Sequence, residues 1–426
     1  MHAAASAAAR RFGVNVALGP ELAINGKGPR RRVLLRARNP PSGTERGEPL
    51  LTATPSTLLV EAVDAGVVLG RARIALVHSP TGQMRQLRRA LPSLCEQLAY
   101  CLTTDTSLPD RSGSLTFDIE SIRPASRANE LTRRARLAPY ARDWSVAIVD
   151  RSLTSLFTSE AAPTATVMQV SPPFGSVFWA DPFVIGDMDG QCWLFVESMN
   201  RWSGKGAIIC GRLEGRTIVD IRTVLRTDHA AFPRVARVGD QYLATVESLS
   251  ASNPVYTFQA VGDPWQPYAS WRLPPHVADP VLHVVENGSL RLFGTDRTVC
   301  SAGAVVMFES TGVTNPWRRS SVPYMYDVVA GRSGGGVIED KRVTQDCSGS
   351  YGWRVHRTPV AGLDSSLDSQ VLDPSMLVGA NNPVGMHTLN GLPGGPSVID
   401  VWRHRADLRA LAWRLTERKA LRTAAR

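Results

Sequence analysis

Apolar runs along this chain recur in one phrase. An alanine, an acidic or aromatic residue and a proline open it, an apolar run follows, and after a Gly/Asp turn a second apolar run ends in an acid. It reads Ala-Asp-Pro-Phe at Ala180 to Phe183, closing on Phe195-Val196-Glu197, and Ala-Phe-Pro-Arg at Ala231 to Arg234, closing on Thr245-Val246-Glu247. It returns as Ala-Asp-Pro-Val at Ala278 to Val281, closing on Thr295-Asp296, with looser copies from Asp327 to Asp346 and from His387 to Asp400. Two short strands per unit and a period of roughly 40 to 50 residues mark a β-propeller, whose blades must stack to bury both faces. The expected fold is mainly β: a five-bladed propeller over 140–405, with a small α/β segment at 1–110, a linker at 111–139 and a basic amphipathic helix at 406–426.

Each copy reads as a hairpin around a turn, such as Gly186 to Gly190 or Glu286-Asn287-Gly288. The start of its first strand and the end of its second therefore share one edge. That phase puts Asp181 beside Glu197 and Asp279 beside Asp296 on one face of the disc. It adds His229, Glu247, Arg332, Gln345, Asp346, His387 and Asp400 around the ring. A mouth of carboxylates, imidazoles and an arginine suits a small polar ligand, and Trp179 offers a ring on which a sugar face stacks. The competing reading is that each of these groups caps a turn or satisfies a strand-end amide.

Ahead of the repeat lie apolar runs at Leu22 to Asn25, Leu58 to Val63 and Ala72 to Val77, and a helical pattern from Met84 to Cys101 that is expected to pack on the propeller. At the far end, Leu408, Leu411, Trp413 and Leu415 sit among arginines. Trp402 to Arg426 therefore reads as an amphipathic helix that docks on the propeller or touches an anionic membrane.

The formal charge of +10 does not point to nucleic acid. Lys27, Lys205, Lys341 and Lys419 are the only lysines, the arginines gather in the tails, and the mouth is acidic. Cys95, Cys101, Cys192, Cys210, Cys300 and Cys347 form no CxxC pair and read as small buried hydrophobes of a reducing compartment. The alanine-rich start meets Arg10 and Arg11 before any long apolar core, so a cytoplasmic location is expected. Ser333-Gly334-Gly335-Gly336 precedes a strand and reads as a tight blade turn, not a phosphate loop. No cofactor is expected. No metal is expected either, although Asp181 and Asp279 are hard-cation ligands by type.

Trp179 to Phe183, Trp193 to Glu197, His229 with Phe232-Pro233, Gln345-Asp346-Cys347 with Tyr351-Gly352, and Gly385 to Leu389 with Val398 to Asp400 together resemble the N-terminal domain of the glucosamine inositolphosphorylceramide transferase family. That domain is similar in turn to five-bladed furanosidase propellers of glycoside hydrolases, which carry a general base on the first blade in an Asp-Pro context. The resemblance implies glycoconjugate work without the transferase activity, which the plant enzymes hold in a separate C-terminal domain. The front resembles half of a formyltransferase domain at Glu21 to Asn25 and at Asp64 to Leu69 with Arg71 to Ile74. No histidine lies between Asn25 and Asp64, so this part reads as an inactive remnant.

Three functions stay open. A glycan-binding module would use the mouth residues as hydrogen-bond partners. A hydrolase of furanosidase type would use Asp181 as base and Asp279 or Glu247 as acid, although Phe232 and Asp279 depart from the hydrolase pattern on the second and third blades. A scaffold would bind no small ligand.

Overall fold

The computed structural model describes residues 140–406 apart from short stretches, chiefly in loops. Ahead of them it describes strands at 15–18, 22–25, 32–38, 57–64, 67–75 and 114–116, and helical residues between 89 and 97. In the front segment β1 (Asn15–Leu18) pairs with β2 (Leu22–Asn25). A second sheet has the order β5-β4-β3-β6, built from β3 (Arg32–Arg38), β4 (Thr57–Asp64), β5 (Val67–Ala75) and β6 (Ser114–Thr116). The parallel pairing of β6 with β3 draws part of the expected linker into that sheet. Between Met84 and Cys101 the described residues are helical, and Ala90, Leu94 and Gln97, one helix face by spacing, are buried. Arg89 lies close enough to act electrostatically on Tyr326 of the propeller, as docking of this helix requires. The side chains of Asn25 and Asp64 lie outside the described residues.

Five sheets form the propeller, as the repeat predicts. The first blade holds β9 (Val177–Gly186), β10 (Cys192–Asn200), β11 (Gly206–Glu214) and β12 (Thr217–Arg226). The second holds β13 (Ala231–Val238), β14 (Gln241–Glu247), β15 (Pro254–Phe258) and β16 (Gln266–Arg272). The third holds β17 (Val277–Val284), β18 (Leu290–Asp296), β19 (Val305–Ser310) and β20 (Arg318–Arg319). The fourth holds β21 (Arg332–Ile338), β22 (Lys341–Asp346), β23 (Arg354–Pro359) and β24 (Gln370–Leu372). The closing blade mixes both ends of the domain in the order β25-β8-β7-β27-β26, with β7 (Tyr140–Val149), β8 (Ala165–Val170), β25 (Leu377–Val378), β26 (Gly385–Gly391) and β27 (Ser397–Ala406). The inner strands touch in a closed ring, β9 to β13 to β17 to β21 to β26 and back to β9.

Alternation along single strands explains the stacking. On β10, Trp193 and Phe195 enter the core shared with the second blade, while Leu194 and Val196 enter the core shared with the closing blade. On β27, Ile399 and Val401 face the fourth blade and Val398 faces the first. A strand apolar at every position thus serves two interfaces, because successive side chains point to opposite faces.

All five inner strands carry a bulge at the same level. The register breaks around Asp181-Pro182, Phe232-Pro233, Asp279-Pro280, Gly334 to Gly336 and His387-Thr388. Asp181, Phe232 and Asp279 adopt φ of 50°, 52° and 46°, a region that aspartate tolerates and a bulky phenylalanine rarely enters. The proline that follows each of them has no N–H to leave unpaired in the broken ladder. In the fourth blade the glycine run is this bulge, not the turn expected from sequence. A Cβ on Gly334 would stand 2.7 Å from the His387 carbonyl oxygen, and one on Gly335 would meet that of Leu389.

A second correction concerns the C-terminal segment. Trp402 to Ala406 continue β27 as strand, with Trp402 buried at 3% exposure, so the first residues of the expected amphipathic helix are propeller and not a membrane-facing surface. Residues 407–426 lie outside the described residues. Cys192, Cys210, Cys300 and Cys347 are free thiols, and no helix among the described residues is long and apolar enough to cross a membrane.

Candidate functional site

The bulges gather the chemistry. Carboxylates cap the bulge amides of neighbouring blades, which the broken ladder leaves without a strand partner. Asp400 of the closing blade accepts from the Asp181 amide at 2.9 Å, Asp181 accepts from the Phe232 amide at 3.1 Å, and Glu247 accepts from the Asp279 amide at 2.9 Å. Asp400 also accepts from the amides of His387 and Thr388 in its own blade, at 3.1 and 2.9 Å. These acids satisfy backbone donors that the bulges release from the ladder, which fixes each carboxylate at the same end of the ring.

Cations complete the cluster. His387 lies between two carboxylates, with Nε2 at 3.1 Å from Asp181 and Nδ1 at 2.6 Å from Asp400. Arg332 forks Asp279 through Nε at 2.5 Å and Nη2 at 3.2 Å, and Gln345 donates to the same carboxylate at 3.1 Å. Glu247 pairs with Arg297 and has His229 at 3.9 Å. Trp144, Tyr351 and His387 pack against one another at tilted and edge-on angles, with ring centroids 4.1 Å apart for Trp144 and His387 and 5.2 Å apart for Tyr351 and His387. Arg332 also lies over the Tyr351 ring.

Their surroundings push the carboxyl groups in opposite directions. Burial acts to raise Asp181, but the charge and hydrogen bond of His387 outweigh it and hold the group below its ordinary range. Glu197, paired across the strands with Ala180, is pushed well above its ordinary value by burial and then by the charges of Asp181, Glu247 and Asp400. Asp279 is raised by burial against the pull of Arg332, with Glu247 and Asp181 adding to the rise. Glu247 is held low despite burial by His229, Asp279, Arg332 and Arg297. His387 is driven up to about 10, since Asp400 and Asp181 together outweigh its burial.

Asp181, His387 and Asp400 present ligand atoms within 4.8 Å of one another, a spacing that a metal ion also uses. With its imidazole protonated the trio is an ion-paired lock between the closing and first blades, and with the imidazole neutral the same three side chains have the donor types of a cation site.

Of the residues singled out in the sequence, Asp181, Glu197, Glu247, Asp279, Arg332, Gln345, His387 and Asp400 converge, and His229 stands at their rim. Three do not join them. Trp179 is 2% exposed within the core between the closing and first blades, so it cannot stack on a ligand. Asp296 caps its own turn, accepting from the Thr298 amide and hydroxyl at 2.8 and 2.6 Å. Asp346 does the same for Ser348 and lies 3.5 Å from His356 within its own blade. For both aspartates the turn-cap reading holds.

Sequence reasoning missed Trp144 and Arg234. Trp144 lies midway along β7, outside any copy of the repeat phrase. Arg234 follows Phe232-Pro233 in the second copy, where the first and third copies carry apolar residues, and that interruption was the available signal.

No protein-family model matches this chain, and no curated protein does. Among solved structures, the chain is similar to a GH43_1 enzyme from Xanthomonas citri, with a TM-score of 0.37 and 10% identity over 55% of this chain and 89% of that one. It is also similar to an α-L-arabinofuranosidase from Podospora anserina in complex with cellotriose, with a TM-score of 0.38 and 12% identity over 56% and 95%. Likenesses at this level carry no argument about function.

Proposed function

We propose that this chain is a carbohydrate-handling propeller of glycoconjugate biosynthesis or modification, seating a hydroxyl-rich ligand at the bulged end of its axis. The observation that supports it most is the convergence there of Asp181, Glu247, Asp279, Arg332 and His387 from all five blades, beside the half-buried Trp144 and Tyr351. Prearranged acids and cations next to aromatic rings suit sugar hydroxyls and sugar faces. The resemblance to the glucosamine inositolphosphorylceramide transferase N-terminal domain, a formyltransferase-like inactive front, a cytoplasmic location and membrane contact through residues 407–426 belong to the same proposal.

The test is calorimetric titration of the whole chain with a panel of neutral and acidic oligosaccharides, alongside Glu247→Gln. Binding by wild type that weakens roughly tenfold in the variant supports the reading, since a ligand hydroxyl would lose a charged acceptor. No binding by wild type to any member of the panel overturns it.

One observation favours a hydrolase as the second reading. Asp181 is held low while Asp279 is raised, the split between base and acid that glycoside hydrolysis requires. The Arg332 fork on Asp279 counts against it, because an acid must be free to give its proton to a leaving group. Reducing sugar released by wild type and not by Asp181→Asn would promote this reading above the binding module.

A further inference from the structure

Arg234 is the unusual cation of the cluster. It sits on β13 two residues after the bulge, 2% exposed, with its guanidinium 3.7 Å from the Phe232 ring centroid and 5.4 Å from that of Phe183. Its Nη1 donates to the Pro233 carbonyl at 2.7 Å, while Nε and Nη2 have no hydrogen-bond partner. Those two nitrogens form the side-on edge of a guanidinium, whose parallel N–H bonds match the two oxygens of a carboxylate. Arg332 uses the same edge, Nε with Nη2, to fork Asp279.

Nearby acids do not fill this role. Asp181, Asp279 and Asp400 attract Arg234 through space, yet their oxygens are engaged with bulge amides, His387, Arg332 and Gln345. Burial outweighs that attraction and pulls the guanidinium down to about 10, which marks a cation short of counter-charge. Phe183, the farther of the two rings beside the guanidinium, packs against the core between the first and second blades but is only half-buried, so part of that ring meets solvent.

We propose that the Nε/Nη2 edge of Arg234 receives the carboxylate of an acidic sugar, which makes the ligand of this site a uronic-acid glycan. This rests on the carbohydrate reading above and narrows it to a substrate class. Phe183 is the gate: its ring swings aside as the carboxylate arrives, and the flat face of Phe232 holds the guanidinium in the receiving plane.

The experiment titrates the whole chain with D-glucuronate and D-galacturonate, and with D-glucose and D-galactose as neutral counterparts, for wild type, Arg234→Lys and Phe183→Ala. Wild type is expected to prefer each uronate over its neutral counterpart by roughly tenfold, the scale of one charge-assisted fork. Arg234→Lys keeps the charge and loses the fork, so the preference should fall below about threefold. Phe183→Ala leaves Arg234 in place and should strengthen uronate binding alone, which keeps the proposal testable if Arg234→Lys fails to fold. Equal binding of acidic and neutral sugars by wild type overturns this proposal and leaves the carbohydrate reading standing. A preference that survives in folded Arg234→Lys also overturns it. Binding of none of the four sugars overturns it, and the oligosaccharide panel then decides the broader reading separately.

Discussion

His387 and Asp181 meet across the seam where the ring closes: Nε2 of the imidazole lies 3.1 Å from the carboxylate of the first blade. Asp400 holds the other ring nitrogen and also caps the amide of Asp181. Three side chains therefore fasten the last strands of the propeller to the first full blade, at the level where the candidate site is assembled.

This lock should depend on pH with a definite sign. The folded-state value of His387, about 10, lies above its ordinary value of 6.5, so the stabilisation is fully present below that ordinary value and is lost as pH rises through about 10. His387→Gln should cost roughly 3–5 kcal/mol near pH 6, as expected when one partner of a buried ion pair is removed. Urea unfolding of both proteins between pH 6 and pH 10.5 checks this. The gap between them should shrink toward the alkaline end, and a constant gap would show that His387 is neutral in the fold.

Arg332 should resist a conservative exchange. Arg332→Lys keeps a cation near Asp279 but cannot fork it, and should cost about 2 kcal/mol, the worth of a hydrogen bond to a charged group. A double-mutant cycle with Asp279→Asn, read by denaturant unfolding, should return a coupling energy of similar size. A coupling near zero would mean that the fork contributes nothing.

Asp296 should behave as a turn residue only. Asp296→Ala removes the cap on the Thr298 amide and should lower stability by roughly 1 kcal/mol. Glycan affinity should stay at the wild-type value in the titration that detects the loss in Glu247→Gln. A parallel loss in Asp296→Ala would return this residue to the site.

The two tryptophans should part company. Trp179→Ala opens a cavity between the closing and first blades and should destabilise by roughly 3–5 kcal/mol. Trp144→Ala, at the half-buried ring beside His387, should weaken glycan binding several-fold with a smaller loss of stability. Thermal melting and titration of both variants separate the roles, and unchanged binding in Trp144→Ala would remove that ring from the site.

How far the site was legible in the chain follows from where each contact lies. The repeat of Ala-Asp-Pro-Phe, Ala-Phe-Pro-Arg and Ala-Asp-Pro-Val carried the blade count and the common level of Asp181, Phe232 and Asp279, because equivalent positions in a periodic strand face the same way. That phase also put Glu197 and Glu247 at the strand ends where they stand, each opposite its own blade's opening alanine in a local hairpin. It equally promoted Asp296 and Asp346, but the pairs that match those two in the third and fourth blades are Ala278 with Thr295 and Ser333 with Thr344, so Asp296 stands one residue and Asp346 two residues further along, where each caps an amide two residues on. A motif read by eye fixes the hairpin only to within a residue or two, and because successive side chains on a strand point to opposite faces, a slip of one residue takes a carboxylate off the site.

The tertiary structure alone decided the rest. The bulges that release the capped amides are breaks in pairing that a run of apolar letters does not display, and in the fourth blade the glycines disguised one as a turn. Asp400 reaches the Asp181 amide across 219 residues of sequence, a contact that exists only once the closing blade takes strands from both ends of the domain. Arg234 was hidden for the same reason. Its sequence neighbours make it an interruption in an apolar phrase, and its partners Phe183, Asp279 and Asp400 come from three other blades. Local periodicity determined the five blades and the level of the site, and the closure of the ring determined which charges meet there, because their energies depend on distances that no single repeat contains.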